Sequence, residues 1–300
     1  MAASATGSAP ARPAGRARPA GPASRRFRPG RIVLVVVLAA VGLVMLFPAL
    51  WVFTTAFAPQ DEIANGALIP AALSLYNFHA LLTQTPAQDP IVRWVINSIG
   101  VSAVTAIIVA FIDSMAAFAL ARLQFRGARF TFYLVTSSLM IPFIAVLLPL
   151  YLEFSKVGLL DTYAALILPY TANAFGVFLL FQFFRGIPQE IQDAAIADGA
   201  SRFRIWRGIF LPLSAPVTVT LGLITFMNVY NDFFWPLVAT NSPNMRTITV
   251  GIEIVAVGQY TTNYTALMAL TVLSVIPMLI AFIFAQRRLV EGISFAGFQG

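Results

Sequence analysis

The sequence predicts an all-α membrane protein with six transmembrane helices and one amphipathic helical hairpin between the fourth and the fifth helix. Hydrophobic residues make up 59% of the 300 residues and charged residues only 10%, which does not suit the surface of a soluble protein. Six stretches stay apolar over the roughly 20 residues that a helix needs to cross a bilayer. The one long polar loop between them carries helix signals of its own, and these predict the hairpin.

The first 31 residues are rich in Ala, Pro, Gly and Arg. Because such a composition cannot bury a core, residues 1–31 are predicted to form a disordered basic tail, followed by a transmembrane domain over residues 32–300. Ala56-Phe57-Ala58 has the small residues of a signal-peptide cleavage site. The apolar run before it is longer than the roughly 7 to 15 residues of a signal-peptide core, so an uncleaved first helix is expected.

The six predicted spans cover approximately residues 32–57, 95–120, 130–151, 163–184, 216–238 and 266–285. The prolines at positions 142, 149, 169, 236 and 277 are expected to mark kinks, because proline cannot donate a backbone hydrogen bond. All 19 lysines and arginines except Arg93, Lys156 and Arg246 fall on one side of these spans. Positive charge is retained on the cytoplasmic side of a membrane, which predicts cytoplasmic N- and C-termini.

The loop at residues 186–215 is predicted to form two short helices joined by a turn. Pro188 suits a first helical turn, where Glu190 and Asp193 favour the positive end of the helix dipole. Gly199 can adopt the left-handed backbone conformation that ends a helix. The loop is therefore expected to be a helical hairpin and not an irregular connection.

The second helix of this loop is predicted to be amphipathic. Ser201 can cap its first turn, and Pro212 is expected to end it. Phe203, Trp206 and Phe210 recur at helical spacing on one face, while arginines occupy the other face. Amphipathicity alone leaves one alternative open, in which the hairpin lies on the membrane surface with its aromatic side chains in the headgroup region.

One motif in this loop matches a known spacing at every position. It consists of Asp193-Ala194-Ala195, Gly199 and Ile209-Phe210-Leu211-Pro212, and it fits the pattern E-A-A-x3-G-x9-I-x-L-P. On this motif the chain resembles the permease subunits of binding-protein-dependent ABC importers. The resemblance implies the type I ABC importer permease fold and a cytoplasmic coupling helix that docks on an ATPase subunit. The residues of this coupling loop are Glu190, Asp193, Ala194, Ala195, Asp198, Gly199, Phe203, Trp206, Ile209, Leu211 and Pro212. Asp193 stands where the family usually has glutamate.

Two further segments resemble the carbohydrate branch of this family, the maltose and multiple-sugar permeases. They are Ala119–Gly127, with the sequence A-L-A-R-L-Q-F-R-G, and Asn231–Leu237, which fits N-E-F-x-W-P-L except for Asp232 at its second position. The resemblance implies a pore-forming subunit that carries a sugar or oligosaccharide. Residues that could line the substrate path near the outer end of the fifth span are Asn228, Asn231, Asp232, Phe234 and Trp235.

Two residues in the spans leave more than one interpretation open. Trp235 could stack on the apolar face of a pyranose ring, or it could be a belt residue at the membrane interface. Asp113 is a carboxylate near the middle of the second span, where a charged group costs roughly 2.5 to 3.5 kcal/mol on insertion scales. A hydrogen bond across helices to a neighbouring Ser or Thr would give Asp113 a structural role.

The sequence contains no G-x4-G-K-[ST] phosphate loop, no cysteine and a single histidine, His79. The chain is therefore predicted to bind no metal or cofactor and to be no enzyme. The family resemblance implies that ATP and Mg²⁺ are used by partner subunits. It also implies a bacterial inner-membrane complex with two ATP-binding subunits, a second permease in a heterodimer and an extracytoplasmic solute-binding protein. The basic residues stand in short clusters beside apolar segments and not along one continuous face, so no nucleic-acid partner is expected.

Other classes of transport protein fit the residues less well. A secondary transporter would couple through intramembrane carboxylates such as Asp113 and would usually show repeated halves, which this sequence does not show. A channel would leave the polar loop at 186–215 unexplained. An ABC permease for a solute other than a sugar stays the nearer alternative.

Overall fold

The computed structural model describes residues 29–64, 69–83, 90–257 and 263–297, and these ranges contain helices and no β-strand. The helices are α1 Pro29–Ala56, α2 Gln60–Ala64, α3 Tyr76–Thr83, α4 Ile91–Arg122, α5 Ala128–Ser137, α6 Phe143–Lys156, α7 Tyr163–Ile167, α8 Ala174–Gly186, α9 Gln189–Ala197, α10 Arg202–Ile205, α11 Leu211–Leu213, α12 Ala215–Asn231, α13 Phe234–Ala239, α14 Ile248–Val257 and α15 Tyr264–Gly297. A π turn at Trp206–Phe210 connects α10 to α11.

The chain divides into two compact units, residues 1–48 and residues 49–300. The described part of the first unit is the amino-terminal portion of α1, where apolar side chains such as Leu43 and Met45 are exposed, as expected of a helix whose solvent is lipid. The second unit contains the remaining helices. Residues 1–28 of the predicted tail lie outside the described residues. Helix α1 begins at Pro29, whereas the first span is predicted to begin at residue 32.

Three described helical segments are long and apolar enough to cross a membrane by themselves: Val33–Ala56, Ile91–Arg122 and Tyr264–Phe284. Three bent pairs meet the same criterion together: Ala128–Met140 with Phe143–Lys156, Tyr163–Tyr170 with Ala174–Gly186, and Arg202–Leu213 with Ala215–Asn231. If each bent pair crosses once, the described part of the chain holds up to six spans, the number that its hydropathy predicts, although the third pair begins at Arg202 and the fifth predicted span only at residue 216.

The third predicted span, 130–151, is not one straight helix. Its two halves, α5 with the turn after it and then α6, meet at 101°, and between them Ile141 is extended, with φ −87° and ψ 114°. Pro142 explains the break, because its ring disfavours helical backbone at the preceding residue and it has no N–H to donate. Pro149 and Pro277 lie inside α6 and α15, so these two prolines do not interrupt a helix as Pro142 does.

The fifth predicted span, 216–238, is also divided. Helix α12 ends at Asn231, because Asp232 adopts extended backbone with φ −67° and ψ 137°. The carboxylate of Asp232 accepts a hydrogen bond from the N–H of Phe234 at 3.1 Å, which satisfies a free donor in the first turn of α13. The apolar sequence continues across this break, so hydropathy alone does not reveal it.

The interior of the second unit forms where α4, α8 and α12 pack together. Small polar side chains are buried along α4 and α12, namely Ser98, Ser102, Thr105, Ser114, Thr220 and Thr225. Small residues allow helices in a membrane to approach closely. By contrast, neither α5 nor α6 contains a buried residue, so this pair presents its apolar surface to lipid or to another protein.

Candidate functional site

The helical hairpin comprises residues 189–213 and has two arms: α9, and a continuous second arm from Arg202 to Leu213. Between the arms Gly199 has φ +77°, and its N–H donates to the carbonyl oxygen of Ile196 at 2.9 Å. Glycine adopts this left-handed backbone without the strain that a Cβ introduces, which confirms the predicted turn. Nothing lies within 4 Å of a Cβ added there, so the requirement for glycine is conformational.

The second arm begins as predicted, since the hydroxyl of Ser201 accepts a hydrogen bond from the N–H of Arg204 at 3.3 Å. Its buried hydrophobic residues are Ile205, Trp206 and Phe210. Phe203 is 54% exposed, but the centre of its ring lies 5.2 Å from that of Trp206, so Phe203 stands on the same face as Trp206 at the exposed edge of this cluster.

Aromatic contacts fix the second arm to the helix bundle. The ring of Phe210 stands edge to face with the rings of Phe118, at 5.0 Å, and Phe184, at 5.5 Å. Trp206 makes the same kind of contact with Phe111 at 5.5 Å. Phe111 and Phe118 belong to α4 and Phe184 to α8, and Trp206 and Phe210 are only 3% and 0% exposed. The alternative that places these two aromatic side chains in the lipid headgroups is therefore wrong.

The outer surface of the hairpin combines charged and apolar side chains. The predicted coupling residues exposed on it are Glu190, Asp193, Ala194, Asp198, Gly199, Phe203 and Pro212, while Ala195, Ile209 and Leu211 are half-buried. Ile191 and Ile196 join this surface at 39% and 53% exposure, and the sequence pattern did not indicate them. Residue spacing alone does not show which face of α9 is buried; the burial of Gln192 does. Exposed apolar groups rimmed by charge mark protein docking surfaces.

Arg122, at the end of α4, connects several parts of this region. Its guanidinium donates to the carbonyl oxygen of Phe184, from Nε at 3.0 Å and also from Nη2. Nη2 also donates to the carbonyl oxygen of Ile187, and Nη1 donates to Oε1 of Gln189 at 2.8 Å. The guanidinium carbon lies 5.0 Å from the centre of the Phe210 ring. Arg122 lies in the segment Ala119–Gly127 that resembles the carbohydrate branch, but the sequence does not reveal its contacts, because its hydrogen-bond partners are at least 62 positions away along the chain.

The predicted substrate-path residues do not share one environment. Asn228, Asn231 and Phe234 are exposed. Asp232 is half-buried, and its carboxylate accepts a hydrogen bond from the hydroxyl of Tyr170 as well as from the N–H of Phe234. Asp232 therefore holds neighbouring segments together. Of the predicted substrate-path residues, Asn228, Asn231 and Phe234 are the ones with exposed side chains.

Trp235 is fully buried, with 0% of its surface exposed. Its Nε1 atom donates to the carbonyl oxygen of Ala165 at 2.8 Å, and its ring stands edge-on to Phe154 at 5.5 Å. Both interpretations of Trp235, as a stacking surface for sugar and as an interfacial belt residue, are wrong, because an enclosed ring reaches neither sugar nor headgroups. The contacts of Trp235 hold α13 against α6 and α7.

Asp113 on α4 is 1% exposed, and its Oδ2 atom has no hydrogen-bond partner among the described residues. The expected hydrogen bond to a neighbouring Ser or Thr is therefore wrong for this oxygen. The carboxylate lies beside Gly176 on α8, which makes the site a close contact between two helices. Within the described ranges, no group of three or more His, Asp or Glu residues could hold a metal ion.

Residues 113–295 match the family model described as "Binding-protein-dependent transport system inner membrane component". The chain is 34% identical over 272 residues to the arabinooligosaccharides transport system permease protein AraQ of Halalkalibacterium halodurans, covering 89% of this chain and 96% of that protein. It is 31% identical over 258 residues to the trehalose transport system permease protein SugB of Mycobacterium tuberculosis, covering 85% and 93%. It is 29% identical over 272 residues to the trehalose/maltose transport system permease protein MalG of Thermococcus litoralis, covering 90% and 97%.

Among solved structures, the chain is similar to one from a bacterial ABC transporter involved in the import of the acidic polysaccharide alginate, with a TM-score of 0.78, 22% identity, and coverage of 88% of this chain and 98% of the other. At that identity the likeness shows the importer permease fold alone. The family match over residues 113–295 and the 34% identity over 89% of the chain show the family as well as the fold. The chain belongs to the inner membrane components of binding-protein-dependent transport systems, and it is a multi-pass permease subunit of an importer and not an enzyme.

Proposed function

We propose that this chain carries a sugar or oligosaccharide as part of an ATP-driven importer, and that the helical hairpin couples it to the ATP-binding subunits. The observation that carries the proposal is the two-sided structure of the hairpin. Trp206 and Phe210 of the second arm are buried against the helix bundle, while Ile191 and Ile196 of the first arm are exposed. An element that is fixed to the transmembrane helices and open to a partner can transmit the partner's movement to the pore.

The partners that fit this surface are two ATP-binding subunits, which would use ATP and Mg²⁺ because this sequence has no phosphate loop. The small side chains of Ala194 and Ala195 permit close approach to α9. Asp193 is one methylene shorter than the usual glutamate, and its carboxylate accepts a hydrogen bond from Nε2 of Gln189 at 3.1 Å, along the same arm. A second permease in a heterodimer would cover exposed apolar surface such as that of α5 and α6, and an extracytoplasmic solute-binding protein would deliver the substrate.

The sidedness that we propose places the hairpin and both termini in the cytoplasm. Helix α4 runs from Ile91 to Arg122, so its two ends lie at opposite ends of the bundle. Near its start Arg93 donates to the carbonyl oxygen of Asn244 at 3.1 Å. The opposite end has more positive charge, since the exposed arginines 202, 204 and 207 all belong to the hairpin. Because arginine and lysine are enriched in cytoplasmic loops, the hairpin end is the cytoplasmic one.

The sugar assignment rests on the relatives named for arabinooligosaccharide, trehalose and trehalose/maltose transport. On this chain, Asn228 and Asn231 are exposed and three positions apart on one face of α12. Each amide offers both a donor and an acceptor to sugar hydroxyls. Phe234 follows with 59% exposure and offers an aromatic face to the apolar face of a sugar ring. Substrate passage would occur by alternating access between the two permeases.

The test is solute uptake by the complex reconstituted in proteoliposomes with its ATP-binding subunits and its solute-binding protein. We expect ATP-dependent uptake of labelled maltose, trehalose or arabinooligosaccharides, and no uptake of amino acids. Asn231→Ala should raise the apparent KM for the sugar about two- to tenfold, the range expected from one lost hydrogen bond. Asn241→Ala, an exposed asparagine in the loop after α13, is the matched control and should leave the KM unchanged. Uptake of amino acids alone would refute the sugar assignment, and uptake without ATP would refute the coupling.

The proposed sidedness can be tested because the natural sequence contains no cysteine. Single cysteines are introduced by Arg204→Cys in the hairpin and by Asn244→Cys at the other end of the bundle. A membrane-impermeant maleimide added to intact cells should label the second variant and not the first. Labelling of Arg204→Cys in intact cells would show that the orientation is reversed.

A further inference from the structure

The side chain of Arg122 contacts four segments that meet where the hairpin joins the bundle. It starts at the last residue of α4 and contacts the end of α8 through Phe184, the connection to the hairpin through Ile187, and the first arm through Gln189. The ring of Phe210, which lies under the guanidinium, belongs to the second arm. One side chain therefore links α4 to α8 and to both arms of the hairpin.

The chemistry of the guanidinium suits this position. The carbonyl groups in the last turn of a helix have no partner within the helix, and they form the negative end of its dipole. Phe184 lies in the last turn of α8 and Ile187 follows it, so Arg122 satisfies two such carbonyl groups with a positive charge. The planar guanidinium presents its donors in a rigid fork, which fixes direction as well as distance.

The hydrogen bonds continue from Arg122 into the coupling motif. Gln189 accepts from Arg122 at 2.8 Å, and its own amide nitrogen donates to Oδ1 of Asp193 at 3.1 Å. Asp193 is the first residue of the motif that identified the hairpin. A chain of polar contacts thus runs from the second transmembrane segment to the outer face of the first arm.

Neighbouring arginines do not make comparable contacts. The guanidinium of Arg185 lies 5.8 Å from the ring of Phe181, four residues earlier on the same helix. Arg129 contacts Tyr133, again within one helix. These two arginines each pack locally along a helix surface, whereas Arg122 connects elements that are distant in sequence.

We propose that Arg122 is a positioning residue for transport, which fixes the hairpin to α4 and α8 so that a displacement of the hairpin moves these helices with it. The inference rests on the proposed coupling function of the hairpin. The aromatic contacts of Trp206 and Phe210 fix only the second arm to the bundle, whereas Arg122 also holds the first arm through Gln189. The hydrogen bonds of Arg122 add the fixed direction that force transmission requires.

The test compares Arg122→Gln with Arg122→Lys and with the control Arg185→Gln in the complete reconstituted complex. Sugar uptake and ATP hydrolysis are measured on the same proteoliposomes. We expect uptake per ATP hydrolysed to fall about three- to thirtyfold in Arg122→Gln, the effect expected of a residue on a coupling path. Arg122→Lys keeps the charge without the fork and should show an intermediate ratio, and Arg185→Gln should match the wild type.

A distance measurement distinguishes transmission from a general loss of structure. Spin labels are placed at Gln124→Cys and Ala197→Cys, two exposed positions on either side of the Arg122 junction. In the assembled complex, Arg122→Gln should broaden the distribution of distances between the labels, and Arg185→Gln should not. If Arg122→Gln does not assemble, Arg122→Lys is measured in its place.

The possible results separate this inference from the function on which it rests. An uptake-to-hydrolysis ratio within twofold of wild type in the Arg122 variant overturns the inference, even if the amount of assembled complex falls. An unchanged distance distribution also overturns it. If the wild-type complex itself shows no ATP-driven uptake, the proposed coupling function is wrong, independently of Arg122.

Discussion

Gly176 on α8 leaves the space that the carboxylate of Asp113 on α4 fills. A Cβ added to Gly176 would lie 1.9 Å from Oδ2 of Asp113 and 2.8 Å from Cδ2 of Leu221. Both of these side chains are buried, so neither can turn aside freely. We therefore expect Gly176→Ala to lower the free energy of unfolding by about 1 to 3 kcal/mol, the usual cost of overpacking. Thermal unfolding in detergent measures the change.

A second glycine provides the matched control for this prediction. Gly222 lies on α12, and nothing lies within 4 Å of a Cβ added there. Gly222→Ala should therefore raise the free energy of unfolding by about 0.5 to 1 kcal/mol, because alanine loses less backbone freedom on folding. Combining Gly176→Ala with Asp113→Ser, a shorter side chain, should restore part of the lost stability. An unfolding temperature of Gly176→Ala equal to that of wild type would contradict the close contact.

Trp235 is expected to contribute to stability and not to substrate binding. Trp235→Phe keeps an aromatic ring but removes the Nε1 donor, which leaves the carbonyl oxygen of Ala165 without this hydrogen bond. The free energy of unfolding should fall by about 1 to 3 kcal/mol, as for other unsatisfied buried polar groups. The apparent KM for the transported sugar should stay within twofold of wild type. A large rise in KM with unchanged stability would show that the ring contacts substrate.

The carboxylate of Asp161, at the end of the bundle opposite the hairpin, is expected to make the free energy of unfolding depend on pH. It has φ +59°, and its carboxylate accepts hydrogen bonds from the N–H groups of Asn241 at 2.9 Å and Ser242 at 3.0 Å. Burial alone would raise the pKa of Asp161, but these hydrogen bonds, the hydroxyl of Ser242 and the charge of Arg246 together hold its pKa below the ordinary value. Because the pKa is lowered in the folded protein, the charged carboxylate stabilises the fold at any pH above the ordinary carboxyl pKa. This stabilisation is lost as the pH falls through the lowered pKa of the folded protein.

The comparison of wild type with Asp161→Asn tests the direction of this pH dependence. Asparagine also tolerates left-handed backbone, so the variant removes the charge without introducing strain. At pH 7 the variant should unfold at a lower temperature than wild type. The difference should shrink as the pH falls below about 4, where Asp161 of the unfolded chain becomes protonated, and should vanish below the lowered pKa of the folded protein. A difference that is the same at pH 7 and pH 3 would contradict the role of the charge.

The sequence predicts the local features of the fold well. Pro142, Gly199 and Ser201 each act through the backbone of their own few residues, so a break at or near Pro142, a left-handed turn and a helix cap follow from residue type. Hydropathy also acts locally, because each membrane-spanning segment must be apolar and must satisfy its own backbone hydrogen bonds. The apolar segments can therefore be identified from the sequence.

Features that depend on distant contacts do not follow from the sequence in this way. The burial of Trp235 depends on Ala165 and Phe154, and the role of Arg122 depends on the end of α8. The π turn at Trp206–Phe210 is likewise not revealed by residue spacing. The candidate substrate path was predicted least well, because a tryptophan near the end of a span has the same sequence signature whether it faces sugar, lipid or protein.

The most direct measurement of the central claim is ATP-driven sugar uptake by variants at Gly199. Gly199→Val places a β-branched side chain at φ +77°, where L-residues are strained by about 1 to 2 kcal/mol, whereas Gly199→Asn keeps a residue that tolerates this backbone. We predict that Gly199→Val inserts into the membrane normally but loses most uptake per ATP hydrolysed, and that Gly199→Asn keeps most of it. Wild-type uptake per ATP in Gly199→Val would show that the hairpin does not couple ATP hydrolysis to transport.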